Sequence, residues 1–246
     1  MDLTIIWVFF IGFLASFIGG MVGGGGLISI PFLIFVGLPP QVAVATNKFG
    51  SLGGASSVAS VFWKKKKIIW CYVLPFSIIA IVGGFIGANI LVKVDEKALG
   101  KAIGVIILLI LPFIFLRRSI GTKRRQISGI RKKVGYLLYF CAMVWGGFFG
   151  GGGVVFIFYT LMYFFGFTII EANATDIIPW LLLSITAVII FAFNGLINFS
   201  YGIILLMGMA IGGYFGAHTA ILKGNLWVKG LFAAMVLASG VKLIFF

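Results

Sequence analysis

Gly23-Gly24-Gly25-Gly26 interrupts a run of apolar residues that would otherwise read as one long helix, and Gly150-Gly151-Gly152-Gly153 interrupts a second run in the same way. A glycine inside a helix costs about 1 kcal/mol relative to alanine, so four in succession end it. The surroundings decide what that break means. Apolar residues make up 62% of the 246 positions and charged residues 10%, against roughly a quarter charged in soluble domains. A soluble fold of this size cannot hide so much apolar surface, so lipid is the solvent for most of it. The apolar stretches run continuously, without the alternation of a transmembrane barrel. The expected fold is therefore all-α, a polytopic integral membrane helical bundle. Irregular backbone at membrane depth is tolerated only where protein or a water-lined cavity covers it.

The chain repeats itself. Gly19-Gly20-Met21-Val22 and the tetraglycine after it match Gly146-Gly147-Phe148-Phe149 and its tetraglycine at an offset of 127. Ala45-Thr46-Asn47 matches Ala174-Thr175-Asp176, and Gly83-Gly84-Phe85-Ile86-Gly87-Ala88 matches Gly212-Gly213-Tyr214-Phe215-Gly216-Ala217, both at 129. Three ordered blocks at nearly one spacing indicate two homologous repeats, residues 1–116 and 134–246, joined by a linker at 117–133. In each copy an apolar segment (Leu3 to Phe17; Val134 to Trp145) enters the glycines and a shorter one (Leu27 to Val36; Val154 to Phe165) leaves them. Three further segments follow: Thr46 to Trp63, Ile68 to Val92 and Ala98 to Leu116, then Thr175 to Phe193, Phe199 to Leu222 and Leu226 to Phe246. That gives about eight to ten membrane segments in all, counted by length. The first stretch lacks a basic leader and a small-residue cleavage site, and is expected to be retained.

Charge orients the chain. Of 19 basic residues, Lys64 to Lys67 supply four and the stretch from Arg117 to Lys133 supplies eight. Both groups lie between apolar segments, where cytoplasmic loops of cell-membrane proteins collect lysine and arginine. Topogenic loops, with anionic lipid as a secondary contact, explain the net charge of +14 without nucleic acid. The lysine run corresponds in the second copy to the uncharged Phe193-Asn194-Gly195-Leu196. Conversely, the loop from Lys223 to Lys229 is basic where its partner around Lys93 to Lys97 is mixed. Opposite bias in equivalent loops favours inverted copies, which require an odd number of crossings each. A re-entrant hairpin at the glycines or two full crossings there both satisfy this.

Candidate site residues follow. The broken stretches Gly23, Gly24, Gly25, Gly26 and Gly150, Gly151, Gly152, Gly153 free the amides and positive dipole end of the helices after them, which suits an anion. Close helix packing is the alternative for these glycines, and the favoured one for Gly83, Gly84, Gly87, Gly212, Gly213 and Gly216. Polar residues at membrane depth mark function by default. Lys48 can supply positive charge, and Thr46, Asn47 and Thr175 can hydrogen-bond a substrate. Asp176 and Glu171 are candidates to carry a coupling proton. The competing readings are Thr46 and Thr175 as helix caps, Lys48 and Glu171 reaching to the interface, or Lys48 paired with Asp176. Cys71 and Cys141 lack metal spacing, so neither a metal nor a cofactor is expected.

The sequence resembles the sulfite exporter TauE/SafE family, also called the toluene-sulfonate uptake permeases. The resemblance rests on the first tetraglycine followed by Pro31, then Gly37-Leu38-Pro39 with Ala43, Ala45 and Thr46, echoed by the second tetraglycine and by Gly212 to Ala217. Copy two departs from it with Phe158 in the place of Pro31 and Thr168 in the place of Pro39. The resemblance implies a secondary carrier for sulfite, sulfonates, sulfoacetate or thiosulfate, not an enzyme. With one histidine and five acids, the clustered groups of a catalytic site are also missing from the sequence. Export of sulfite is the leading reading. Import of a sulfonate or another small organic anion, and an anion channel, are the alternatives. The expected partners are the small anion, the lipid bilayer and, as an assembly, a homodimer.

If the copies are inverted and the lysine loop is cytoplasmic, a reporter fused after Phe246 reports from outside the cell. A cytoplasmic signal there would contradict inversion.

Overall fold

The structure, a computed structural model, describes residues 3–95 and 121–245, with side chains as far as residue 231. The expected segment Ala98 to Leu116 lies outside the described residues. Among those described there are eight helices and no strands: α1 (Leu3–Val22), α2 (Gly26–Phe35), α3 (Pro40–Lys64), α4 (Trp70–Lys93), α5 (Gly129–Phe148), α6 (Gly153–Phe164), α7 (Ile169–Phe193) and α8 (Phe199–Phe245). Leu3–Val22, Trp70–Lys93, Ile169–Phe193 and Phe199–Leu231 are long and apolar enough to cross a membrane. Their outward residues recur at helical spacing, as with Leu3, Trp7, Phe10 and Leu14 on α1 or Leu74, Ile78, Val82 and Phe85 on α4. Such stripes of exposed large apolar side chains suit lipid.

The two tetraglycines break the helices as the sequence demands. Gly23 and Gly24 take φ of 73° and 79°, and Gly150 and Gly152 take 76° and 74°, left-handed values open to glycine at no steric cost. After the first break α2 turns back along α1, so that Gly25 lies against Ala15 and Gly19.

Several boundaries differ from the apolar pattern. α3 begins at Pro40, preset for a first turn by its fixed φ, so Thr46 lies inside the helix and does not open it. α7 begins after Thr168, whose hydroxyl accepts the Glu171 amide while the Glu171 carboxylate accepts the Thr168 amide. This capping box places Thr175 inside the helix as well. α5 starts at Gly129, taking in Arg131, Lys132 and Lys133, because lysine and arginine are good helix formers on an exposed face. The last two expected segments are joined in α8 and separated only by Gly224, at φ 80° and ψ 173°.

Small residues let the helices close up. α1 packs along α8, α4 along α5, and α3 against α7. A Cβ added to Gly20 would stand 2.8 Å from the Gly213 carbonyl oxygen, and one added to Gly147 would stand 2.8 Å from that of Gly84. Gly212 and Gly216 press on the carbonyls of Phe13 and Phe17 in the same way. Packing is the role expected of Gly84, Gly212, Gly213 and Gly216.

The ends of the bundle differ in charge. At one end the Arg125 amide donates to Gly166 (2.9 Å) and the Ile169 amide to Gly121 (2.8 Å), and the Ile170 amide donates to Asn225 (3.2 Å). Lys66, Lys67 and Arg124 border one recess there. At the other end Gln41 holds the Leu91 and Val94 carbonyls, near the mixed pair Lys93 and Asp95.

Replacing Gly20 or Gly147 by valine is expected to cost about 1–3 kcal/mol through overpacking, whereas Gly129→Ala meets nothing within 4 Å and should be neutral. Thermal unfolding in detergent checks this. Equal midpoints for all three variants would remove the glycine contacts from the packing.

Candidate functional site

The broken helices and the crossing of α3 with α7 line a partly open cavity of about 100 Å³. The first break supplies Gly23, Gly24, Gly25 and Gly26, and the second supplies Gly150. α3 contributes Asn47 and Lys48, and α7 contributes Asn173, Asp176 and Trp180. The two breaks meet here: a Cβ on Gly26 would lie 3.6 Å from Gly151 Cα.

Lys48 dominates the site. It is 1% exposed, and its Nζ has no hydrogen-bond partner. The ammonium stands 4.0 Å from the centre of the Trp180 ring, a cation–π contact that offsets only part of the lost hydration. A Cβ on Gly150 would lie 3.1 Å from Nζ. The left-handed glycine therefore lets the second break approach the amine. On the facing side the first hydrogen bonds of α2 run from Leu27 to Gly24 (2.9 Å) and from Ile28 to Gly25 (3.0 Å). The amides before them belong to the helix start, which has no helical acceptors to offer. An unpaired buried charge is expensive, and Gly24, Gly25 and Gly26, whose amides precede those bonds, line the same cavity.

Asp176 lines the same cavity but is not ion-paired to Lys48. Its Oδ1 accepts the hydroxyl of Tyr139 on α5, at 2.6 Å and fully buried. Asn47 accepts the Ser29 hydroxyl of α2 at 2.5 Å, which fixes the short helix to α3. Asn173 donates to the Gly20 carbonyl at 3.0 Å, which ties α7 to the end of α1 beside the break.

The other sequence candidates lie elsewhere. Thr46 Oγ1 accepts the Asn198 amide (3.0 Å), and Thr175 Oγ1 accepts the Ile69 amide (3.1 Å). Each threonine thus holds the start of a helix distant in the chain, α8 or α4. Glu171 closes the capping box of α7 and stands 3.9 Å from Arg124, outside the cavity. Gly151 packs on the Phe149 ring and Gly153 on Trp145, and neither lines the cavity, nor does Gly152. Trp180 and Tyr139 escaped sequence reading because aromatics in apolar helices are ordinary. A polar-facing aromatic one helical turn from Asp176 is the signal that Trp180 offered.

A model of the family described as sulfite exporter TauE/SafE matches residues 8–243. The chain belongs to the TauE/SafE family. Its relatives include a probable membrane transporter protein of Haemophilus influenzae, 27% identical over 97% of this chain and 93% of the relative. Another is the probable membrane transporter YfcA of Escherichia coli K12, 25% identical over 97% and 88%. TauE/SafE family protein 3 of Arabidopsis thaliana is 29% identical over a shorter stretch, 43% of this chain and 22% of its own length. No solved structure matches the chain. TauE/SafE membership and these relatives make it a multi-pass membrane transporter protein.

Thr46→Val and Thr175→Val each remove the acceptor of a part-buried amide. Each should lower stability by about 1–3 kcal/mol and leave anion affinity within twofold of wild type in a binding titration. Loss of binding without loss of stability would place the threonines in the site.

Proposed function

We propose that this TauE/SafE protein is a secondary transporter that exports a small sulfur-containing anion, sulfite or a sulfonate, through the cavity at Lys48. The observation that carries this reading is the buried, unpartnered Lys48 ammonium between two glycine-broken helices. Glycine at these positions keeps the cavity free of side chains on two walls, so a compact oxyanion can reach the amine and the amides of the α2 start together. The family supplies the sulfur chemistry, since its description names sulfite export. Carriage, not catalysis, is the activity proposed.

The two-copy organisation belongs to the same proposal: repeats at 1–116 and 134–246, inverted, with the 117–133 linker and the Lys64 to Lys67 loop cytoplasmic. Support comes from the reciprocal threonine bonds. Thr46 and Thr175 are 129 residues apart, as are their donors Ile69 and Asn198. The start of α3 thereby lies beside the end of α7, and the start of α7 beside the end of α3, so these equivalent helices run antiparallel. The concentration of lysine and arginine at one end agrees with the positive-inside rule.

In everted vesicles carrying the protein, labelled sulfite should accumulate saturably and exchange with unlabelled sulfite. Lys48→Met should lower the flux at least tenfold in protein that still elutes as a single species. Undiminished flux in that variant would take Lys48 out of the pathway, and non-saturable flux would indicate a channel.

A further inference from the structure

The proposed anion site holds one positive and one potentially negative side chain, and that balance limits the ligand's charge. Lys48 on α3 is the amine that lines the cavity, and Asp176 on α7 is the carboxylate. Facing Asp176, α5 supplies the Tyr139 hydroxyl, which donates to it, and α3 supplies Lys48. α1, α2, α6 and α8 give the cavity wall glycines, Ser16 and apolar side chains, and α4 contributes none of the lining. The remaining polar groups of α3 and α7 there, Asn47, Ser51 and Asn173, are neutral. All three are engaged, Asn47 by Ser29, Ser51 by the Lys48 carbonyl and Asn173 by the Gly20 carbonyl.

With Asp176 ionised, the amine and the carboxylate already balance, and any anion that enters adds unpaired negative charge to a buried site. With a proton on Asp176, one negative charge on the ligand matches Lys48 and the cavity is neutral. A dianion leaves an unpaired charge in either state, and burying such a charge is costly. The Tyr139 hydroxyl occupies one Asp176 oxygen, leaving the other able to hold the proton. Resting on the reading of this cavity as the anion site, we infer that the ligand binds as a monoanion with one proton on Asp176, and that permanent dianions are turned away. Of the sulfur oxyanions, hydrogen sulfite and alkyl sulfonates meet this condition. Sulfate does not. Tyr139 acts as a positioning residue, setting which oxygen of Asp176 is free.

The test is calorimetric titration of the purified full chain with methanesulfonate and with sulfate across pH 5.5 to 8.5, where neither probe changes charge. Methanesulfonate should bind at least tenfold tighter than sulfate. Its affinity should fall as pH rises, by up to tenfold per pH unit, the slope set by one linked proton. In Asp176→Asn, the pH dependence of methanesulfonate binding should be weaker than in the wild type, any remainder belonging to Lys48, and in Tyr139→Phe the pH dependence should move along the axis with binding retained. Sulfate binding as tight as methanesulfonate, or an Asp176→Asn variant with unchanged pH dependence, would overturn the monoanion rule while leaving the anion site in place. Absence of binding by both anions in the wild type would overturn the site itself. The wild-type titrations decide the charge rule even if a variant fails to fold.

Discussion

A lysine ammonium withdrawn from water and left without a partner has to be compensated, and the bundle around Lys48 is arranged to bring compensation to it. Trp180 offers the face of its ring, Asp176 stands in the same cavity but is engaged by Tyr139, and two helix breaks open backbone towards the amine. None of these neutralises the charge by direct ion pairing. The buried amine without a hydrogen-bond partner is the feature on which the proposed anion site rests.

That placement depends on glycine twice over. Left-handed glycines at 23, 24, 150 and 152 let the chain reverse at membrane depth. The stripes on α4 and α8 let these helices lie against α5 and α1 at backbone distance. Without the second set the first would have nothing to close around it, and irregular backbone would face lipid with unsatisfied groups. The threonine bonds to Ile69 and Asn198 add a further tie, because each anchors the start of one helix to the flank of another far away in sequence.

Much of this was legible in the chain because it is written in local composition. The tetraglycines, Lys48 and Asp176 stand out against apolar surroundings, and the structure brings Lys48, Asp176, Asn47 and one glycine of the second block to one cavity with the whole first block. Less legible were features that depend on distant partners. Thr46 and Thr175 read as ligands because a hydroxyl in an apolar helix needs a bond, yet their donors lie 152 and 106 residues away. Glu171 belonged to a readable motif, Thr168-Ile169-Ile170-Glu171, whose capping role accounts for its carboxylate. Tyr139 carried no signal of its own, since only the fold sets it against Asp176, and Trp180 carried only its place one helical turn from Asp176.

The most direct measurement is a structure of the protein with selenite, a sulfite analogue whose selenium can be located by anomalous scattering. A selenium peak between the Gly23–Gly26 break and Lys48, with an oxygen within hydrogen-bond distance of Nζ, is the expected result. Selenite bound at another place in the bundle, with Lys48 still unpartnered, would contradict the central assignment.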